Sequence, residues 1–187
     1  MKLDSKQSLR EHFIKLRGNL TPHSVSQKSK DICQKLLNLA EIKRKKTFSC
    51  YLPINSEVET KLIFEIFKRR EAKIFLPTYI DKKNEYFFCE FTSWQNLKKG
   101  PFDILQPTKT KVADPSLINV AIIPGLAFSK SGVRLGYGKG VFDKLLAKSN
   151  ALIIALAYDF QIIDIIPREK HDLTVDIIIS EKRVIKF

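Results

Sequence analysis

The chain has 187 residues and a mass of 21.6 kDa, room for one ordinary domain and hardly for two. Apolar residues make up 44% and charged residues 28%, a balance that excludes wholesale disorder. The net charge of +13 suits polyanions without choosing among nucleic acid, nucleotide and polycarboxylate.

No apolar run approaches the ~18 residues of a membrane span; the longest, Ala151 to Tyr158, has the length of a buried strand. The polar, charged stretch Met1 to Lys6 predicts a protein without a secretory leader. Cys33, Cys50 and Cys89 form no CxxC and cannot all pair, which is the usage of a reducing, cytoplasmic compartment, with buried apolar thiols as the expected state.

In chain order, Leu9, Phe13, Leu16 and Leu20 recur at helical spacing and predict a first helix with one apolar face. Thr21-Pro22 caps and opens a second, expected to run to about Glu41. The basic run Lys43 to Lys46 reads as a solvated connector before a strand from Thr47 to Leu52, stopped by Pro53. After a polar loop comes a short helix with Leu62, Ile63, Ile66 and Phe67 on one side and Lys68-Arg69-Arg70 at its C-terminal end, where cations suit the dipole.

Lys73 to Pro77 and Glu85 to Phe91 read as strands with a turn between them, whereas Trp94 to Pro115 reads as a long irregular stretch of the kind that often carries function. Val120 to Ile123 is a wholly apolar strand ended by Pro124-Gly125. A glycine-rich loop, a helix from Val141 to Lys148, and apolar strands at Leu152–Ala157 and Val175–Ile179 follow. Apolar runs without alternation, separated by helices, predict an α/β fold: a three-layer, Rossmann-like domain with a mostly parallel central sheet and helices on both faces. No linker divides the chain, so residues 1–187 are expected to form a single domain.

Chemistry concentrates in Gly132-Val133-Arg134-Leu135-Gly136-Tyr137-Gly138-Lys139-Gly140, with four of the seven glycines of the chain alternating with two cations. Glycine permits positive φ and close backbone approach. Free N–H groups before a helix then cradle phosphate oxygens, to which Arg134 and Lys139 add charge. The other reading is a mobile surface turn. Neither GxxxxGK[ST] nor GxGxxG fits the spacing, so any nucleotide is held in another way.

This segment, with Ile123 to Phe128 before it and Asp143 after it, resembles the signature of the 5-formyltetrahydrofolate cyclo-ligase (methenyltetrahydrofolate synthetase) family. Further blocks agree in order: Lys6-Gln7-Ser8-Leu9-Arg10, Tyr51 to Thr60, Gln106-Pro107, and Lys170-His171-Asp172 through Val175-Asp176. The resemblance implies an enzyme that uses ATP and Mg2+ to close 5-formyltetrahydrofolate to 5,10-methenyltetrahydrofolate, releasing ADP and phosphate. It also implies a cytoplasmic monomer with a small-molecule folate substrate, with or without a polyglutamate tail, and no membrane or specific nucleic-acid partner.

Carried over by residue, the resemblance makes Lys139 and Arg134 catalytic. Lys6, Arg10, Arg134, Gly136, Tyr137, Gly138, Lys139, Gly140 and Phe142 would bind ATP. Leu52, Glu57, Tyr137, Gly138, Lys139, Gly140 and Val141 would bind folate, with Glu57 on the pterin. Asp143 and Asp172 would hold magnesium, the latter preceding a strand so that both stand at the edge where such sheets bind ligands. Without the resemblance, Lys6 and Arg10 read equally as a solvated helix face and Asp143 as a charge in a first helical turn. Val141-Phe142 stand where the family usually shows two tyrosines, and Ser129 where an aspartate is common. Two alternatives remain from the residues themselves: a basic nucleic-acid-binding protein, with Phe87, Phe88, Phe91 and Trp94 near Lys98-Lys99, or a nucleotide-binding relative with another substrate.

Overall fold

The computed structural model describes residues 5–147, 149–169 and 172–187. Helix α1 (Lys6–Gly18) opens at Ser5, whose hydroxyl accepts from the Ser8 N–H while Ser8 answers in a reciprocal cap. Helix α2 (Pro22–Asn38) opens as expected, with the Thr21 hydroxyl accepting from the Ser24 N–H at 3.2 Å, but ends three residues early in a short 3-10 turn, Ala40–Ile42. Strand β1 (Thr47–Ser49) and helix α3 (Lys61–Arg69) follow the basic connector, and Lys43 to Lys46 are exposed.

Strands β2 (Lys73–Ile80) and β3 (Glu85–Phe91) form a long antiparallel pair. The stretch read as irregular holds a small hairpin, β4 (Leu97–Lys99) and β5 (Leu105–Pro107). The buried Gln106 amide pins it to the sheet by accepting from the Tyr79 N–H and donating to the Tyr79 carbonyl, at 2.9 and 3.1 Å. The chain continues through β6 (Val120–Ile123), β7 (Ala127–Ser129), β8 (Arg134–Leu135), α4 (Val141–Leu146), β9 (Leu152–Leu156), β10 (Ile162–Ile163), β11 (Ile177–Ile179) and β12 (Val184–Lys186).

The large sheet has the order β12-β11-β9-β6-β1-β2-β3. Its five inner strands are parallel, and each edge strand, β3 and β12, is antiparallel to its neighbour. Every residue of β6 and β11 is buried, because helices cover both faces of a parallel sheet. Phe67 of α3 stacks on Phe48 of β1 with ring centroids 3.9 Å apart, and Ile32, Leu36, Ile63 and Phe64 complete that layer. The buried face of α3 is Ile63, Phe64 and Phe67, turned from the expected one: Leu62 and Ile66 are only half-buried. Phe64 is drawn in by rings at its end, Phe91 and Trp94.

A second, three-stranded sheet, β10-β7-β8, sits beside the first. Helix α1 lies on it through Leu9 and Phe13, which pack with Leu126, Val133 and Leu135. The buried face of α1 differs from the expected apolar one. Leu16 is exposed, and the inward position a turn beyond Phe13 belongs to Arg17, only 1% exposed.

Candidate active site

The glycine-rich segment does not form one continuous cradle. Its first half is the β7–β8 hairpin, turning at Gly132 with φ of 81°. Only Gly136 to Gly140 form the open loop leading into α4, with Gly138 at φ 94° and Gly140 at φ 63° as the residue before the helix. Both conformations favour glycine, so the sequence permits this path and side chains there would strain it.

Below the loop lies a cleft of about 1220 Å³ that follows α4 toward the first residues of β9. Gly138, Lys139 and Gly140 form its upper wall, Asp143 and Lys144 its helical side, and the strip Asp172 to Thr174 faces them. The strip is held by pairing with β8: the Arg134 N–H donates to the Leu173 carbonyl at 3.2 Å, and the Val175 N–H to the Gly132 carbonyl at 2.9 Å. Asp143 Oδ1 accepts from the Leu173 N–H at 3.2 Å. The two carboxylates predicted to act together therefore border one cleft. Asp172 precedes β11 as expected, and the β8 pairing carries its strip to Asp143; what differs is the edge, since the cleft reaches the first residues of β9 and the residue before β11 rather than the carboxyl ends of strands.

Both carboxylates already face cations. Lys6 Nζ lies 2.7 Å from Asp172 Oδ2 and 2.8 Å from Glu169 Oε1. Burial pushes the Lys6 ammonium down, but the hydrogen bonds and charges of Asp172 and Glu169 outweigh it and raise the pKa. Arg134 Nη1 lies 3.3 Å from Asp143 Oδ2, and its Nε donates to the Pro124 carbonyl at 2.8 Å. Arg134 is buried under the loop and outside the cleft lining, with its guanidinium 5.4 Å from the centre of the Phe142 ring. Burial pulls its pKa down, against Asp143 and Glu57. Among the described residues no group of three or more His, Cys, Asp or Glu is placed to hold a metal ion. Two carboxylates can nonetheless be enough from the protein where phosphate oxygens and water complete a magnesium ion's shell, so the chemistry of this donor pair is compatible with a cation that arrives with a nucleotide.

Arg10 Nε donates to the Gly136 carbonyl at 3.1 Å, and its guanidinium lies over Gly138, where a Cβ would meet it at 3.5 Å. Lys139 is exposed and reaches over the ring of Phe102 at 5.6 Å, at the tip of the β4–β5 hairpin. Val141 is half-buried and Phe142 buried in α4. Lys170 and His171, part of one resembling block, lie outside the described residues, as does Lys148 at the expected end of α4.

On the other side of the loop, at the carboxyl ends of β1 and β6, a second group forms. Leu52 is half-buried there, and Glu57 is 4% exposed. Burial raises the Glu57 carboxyl to about 7, against the pull of Arg17, the Ile54 N–H and Arg134. Tyr137, from the loop itself, is half-buried with a phenol raised by burial, and its hydroxyl accepts from Arg17 Nη2. The sequence reading missed Arg17. The signal was present: Lys6, Arg10 and Arg17 fall at i, i+4 and i+11, one stripe along α1, and all three meet the loop or its neighbours.

A glycine-rich turn, cations and two carboxylates gathered around one cleft suit phosphoryl transfer, a reaction of positioning and charge neutralisation. This defines a nucleotide-using α/β enzyme. Comparison with known proteins gives the particular family. The profile of the 5-formyltetrahydrofolate cyclo-ligase family matches residues 2–181, and the chain belongs to that family. A mouse protein named 5-formyltetrahydrofolate cyclo-ligase is 31% identical over 192 residues, spanning 95% of this chain and 94% of its own. The solved structure of a 5,10-methenyltetrahydrofolate synthetase from Aquifex aeolicus superposes with a TM-score of 0.86 at 31% identity, covering 97% of this chain and 92% of that one. A second, from Mycoplasma pneumoniae, gives a TM-score of 0.77 at 27% identity, covering 94% and 98%. The nucleic-acid alternative is not favoured: Phe88 and Phe91 belong to the core, and Trp94 packs on Phe64 and Phe91.

Proposed function

We propose that the chain catalyses the ATP-dependent closure of 5-formyltetrahydrofolate to 5,10-methenyltetrahydrofolate. The observation that carries this is the position of the loop Gly136 to Gly140, which borders the cleft on one side and meets the Glu57–Arg17 group through Tyr137 on the other. Two substrates can thus meet across five residues. The nucleotide phosphates lie against the loop N–H groups, with Lys139 on the transferring phosphoryl group. Lys6 and Arg10 act from α1, and Arg134 supports the loop from beneath. The pterin lies toward Leu52 and Glu57, with Val141 and Phe142 behind the loop.

The formyl oxygen attacks the γ-phosphorus, the bond to ADP breaks, and the formyl carbon now carries a phosphate. The N10 lone pair attacks that carbon, N10 loses its proton, and phosphate leaves with the C–O electron pair. Lys139 compensates charge growing on the phosphoryl oxygens. Asp143 and Asp172 would hold a magnesium ion, which when bound neutralises the β- and γ-phosphates.

The whole chain 1–187 serves as one working unit, because α1 and the strip at Asp172 both reach the site. We place it as a monomer in the cytoplasm, where its three cysteines, all free and buried, suit a reducing setting. No described helix is long and apolar enough to cross a membrane. Incubation of the purified protein with 5-formyltetrahydrofolate and MgATP should produce the near-ultraviolet absorbance of the methenyl product. A relative with a shifted substrate would instead bind ATP and give none.

A further inference from the structure

Arg17 is among the largest fully buried side chains of the protein, and its guanidinium joins three separate segments. Its Nε donates to the Asn55 carbonyl at 2.8 Å, Nη1 to the Gly125 carbonyl at 3.3 Å, and Nη2 to the Tyr137 hydroxyl. Glu57 Oε1 lies 3.7 Å from Nη1, while Glu57 Oε2 accepts from the Ile54 N–H at 3.1 Å. One planar fork therefore fixes the loop after β1, the turn after β6 and the glycine loop relative to one another. The loop it holds is not relaxed by itself, because Asn55 and Ser56 both take positive φ, 47° and 58°. A buried ion pair rarely stabilises a protein more than apolar side chains of the same volume. Such a pair is better accounted for by what it positions.

We propose that Arg17 is a positioning residue for the folate end of the reaction, setting the Glu57 carboxylate and the Tyr137 hydroxyl at the spacing the pterin requires. The inference rests on the cyclo-ligase reading, in which Glu57 and Tyr137 contact folate. Arg17 touches neither substrate; it acts through those two groups. Lysine cannot replace it, because a single ammonium cannot serve carbonyls in two segments, a hydroxyl in a third and a carboxylate together. The groups facing Glu57 are Arg17 from α1, Arg134 from β8, Tyr51 beyond β1 and Tyr137 from the loop. Removing Arg17 takes away the strongest of the pulls that hold the Glu57 carboxyl down toward ionisation near neutrality.

The test is steady-state kinetics of Arg17→Lys and Arg17→Met, varying 5-formyltetrahydrofolate and ATP separately, with circular dichroism and thermal melting on the same samples. The KM for 5-formyltetrahydrofolate should rise about 10- to 100-fold, the scale of a misplaced contact, while the KM for ATP stays within about twofold. The acid limb of kcat/KM for folate should move to higher pH in Arg17→Met, and a higher assay pH should restore part of the loss. In a Glu57→Gln background, Arg17→Met should add little to the folate KM. An unchanged folate KM in a folded variant, or an equal rise in both KM values, overturns the proposal. If Arg17→Met does not fold, Arg17→Lys decides, since it keeps the charge and loses only the fork. Wild-type protein that forms no methenyl product overturns the cyclo-ligase reading and this inference with it; wild-type turnover with unaffected Arg17 variants overturns this inference alone.

Discussion

Replacing Glu57 by Gln should make the protein more stable above neutral pH and a poorer enzyme. The carboxyl is buried, and the fold raises it from the ordinary 4.5 to about 7, a value that already includes the opposing pull of Arg17. The folded chain therefore holds this proton more tightly than the unfolded chain. Below pH 4.5 both states are protonated and the group costs nothing. Between 4.5 and 7 stability falls as pH rises, and above 7 the full cost of a buried carboxylate is present. About 2.5 pH units at roughly 1.4 kcal/mol each make that cost about 3 kcal/mol. Gln keeps the shape and cannot ionise, so Glu57→Gln should match wild type near pH 4.5 and exceed it by up to about 3 kcal/mol at pH 8.5. Urea unfolding of both proteins across this range measures the difference, and an equal m value confirms that the same surface is exposed. A stability difference that does not grow with pH would refute the assignment of a buried, near-neutral carboxyl. The same variant should bind 5-formyltetrahydrofolate poorly, the usual relation between a strained site and its function.

Three further outcomes follow from the geometry. Lys139→Met should lower kcat by a factor of about 100, from losing a contact worth roughly 3 kcal/mol on the transferring phosphate, without changing the melting temperature, since Lys139 is exposed; wild-type kcat would remove it from the reacting centre. Asp143→Asn and Asp172→Asn should each require more magnesium for half-maximal activity, with the double variant costing less than the sum; Asp143→Asn should also melt earlier because its single amide oxygen cannot accept from both Arg134 Nη1 and the Leu173 N–H, as the two carboxylate oxygens do, and unchanged magnesium titrations would make both carboxylates structural. The thiols of Cys33, Cys50 and Cys89 are all buried, and burial raises each pKa, that of Cys33 to about 12, so a thiol reagent should label none in native buffer and all three in denaturant; fast native labelling would show an open core.

Elements with a strong local signal were legible in the sequence: the apolar run Val120–Ile123 and the strand Glu85–Phe91 fall where expected. Strands such as Arg134–Leu135 and Ile162–Ile163 were not, because two residues carry no period and both owe their form to β7. That pairing also divides the glycine-rich segment into a hairpin and a shorter open loop, which composition could not show. Arg17 was hidden by a competing pattern: the leucines at 16 and 20 suggested an apolar face, while the helix instead buries the cation in line with Lys6 and Arg10. The approach of Asp143 to Asp172 was legible only through family resemblance, since the strip after Asp172 is held by backbone pairing with β8.

Helix α1 is made well before the groups that its charged stripe answers to. Lys6 and Asp172 are 166 positions apart. At roughly 5–20 residues per second, about 10–30 s of synthesis separate the two, and Arg17 waits for Gly125 and Tyr137 in the same way. The parallel strands β1 and β6 can begin to pair before that, while the cations of α1 are still solvated. The active site is accordingly a late event in the life of each molecule, a clasp closed between segments far apart along the polypeptide. Its failure to close would leave a chain with a formed sheet, a hydrated helix and no activity.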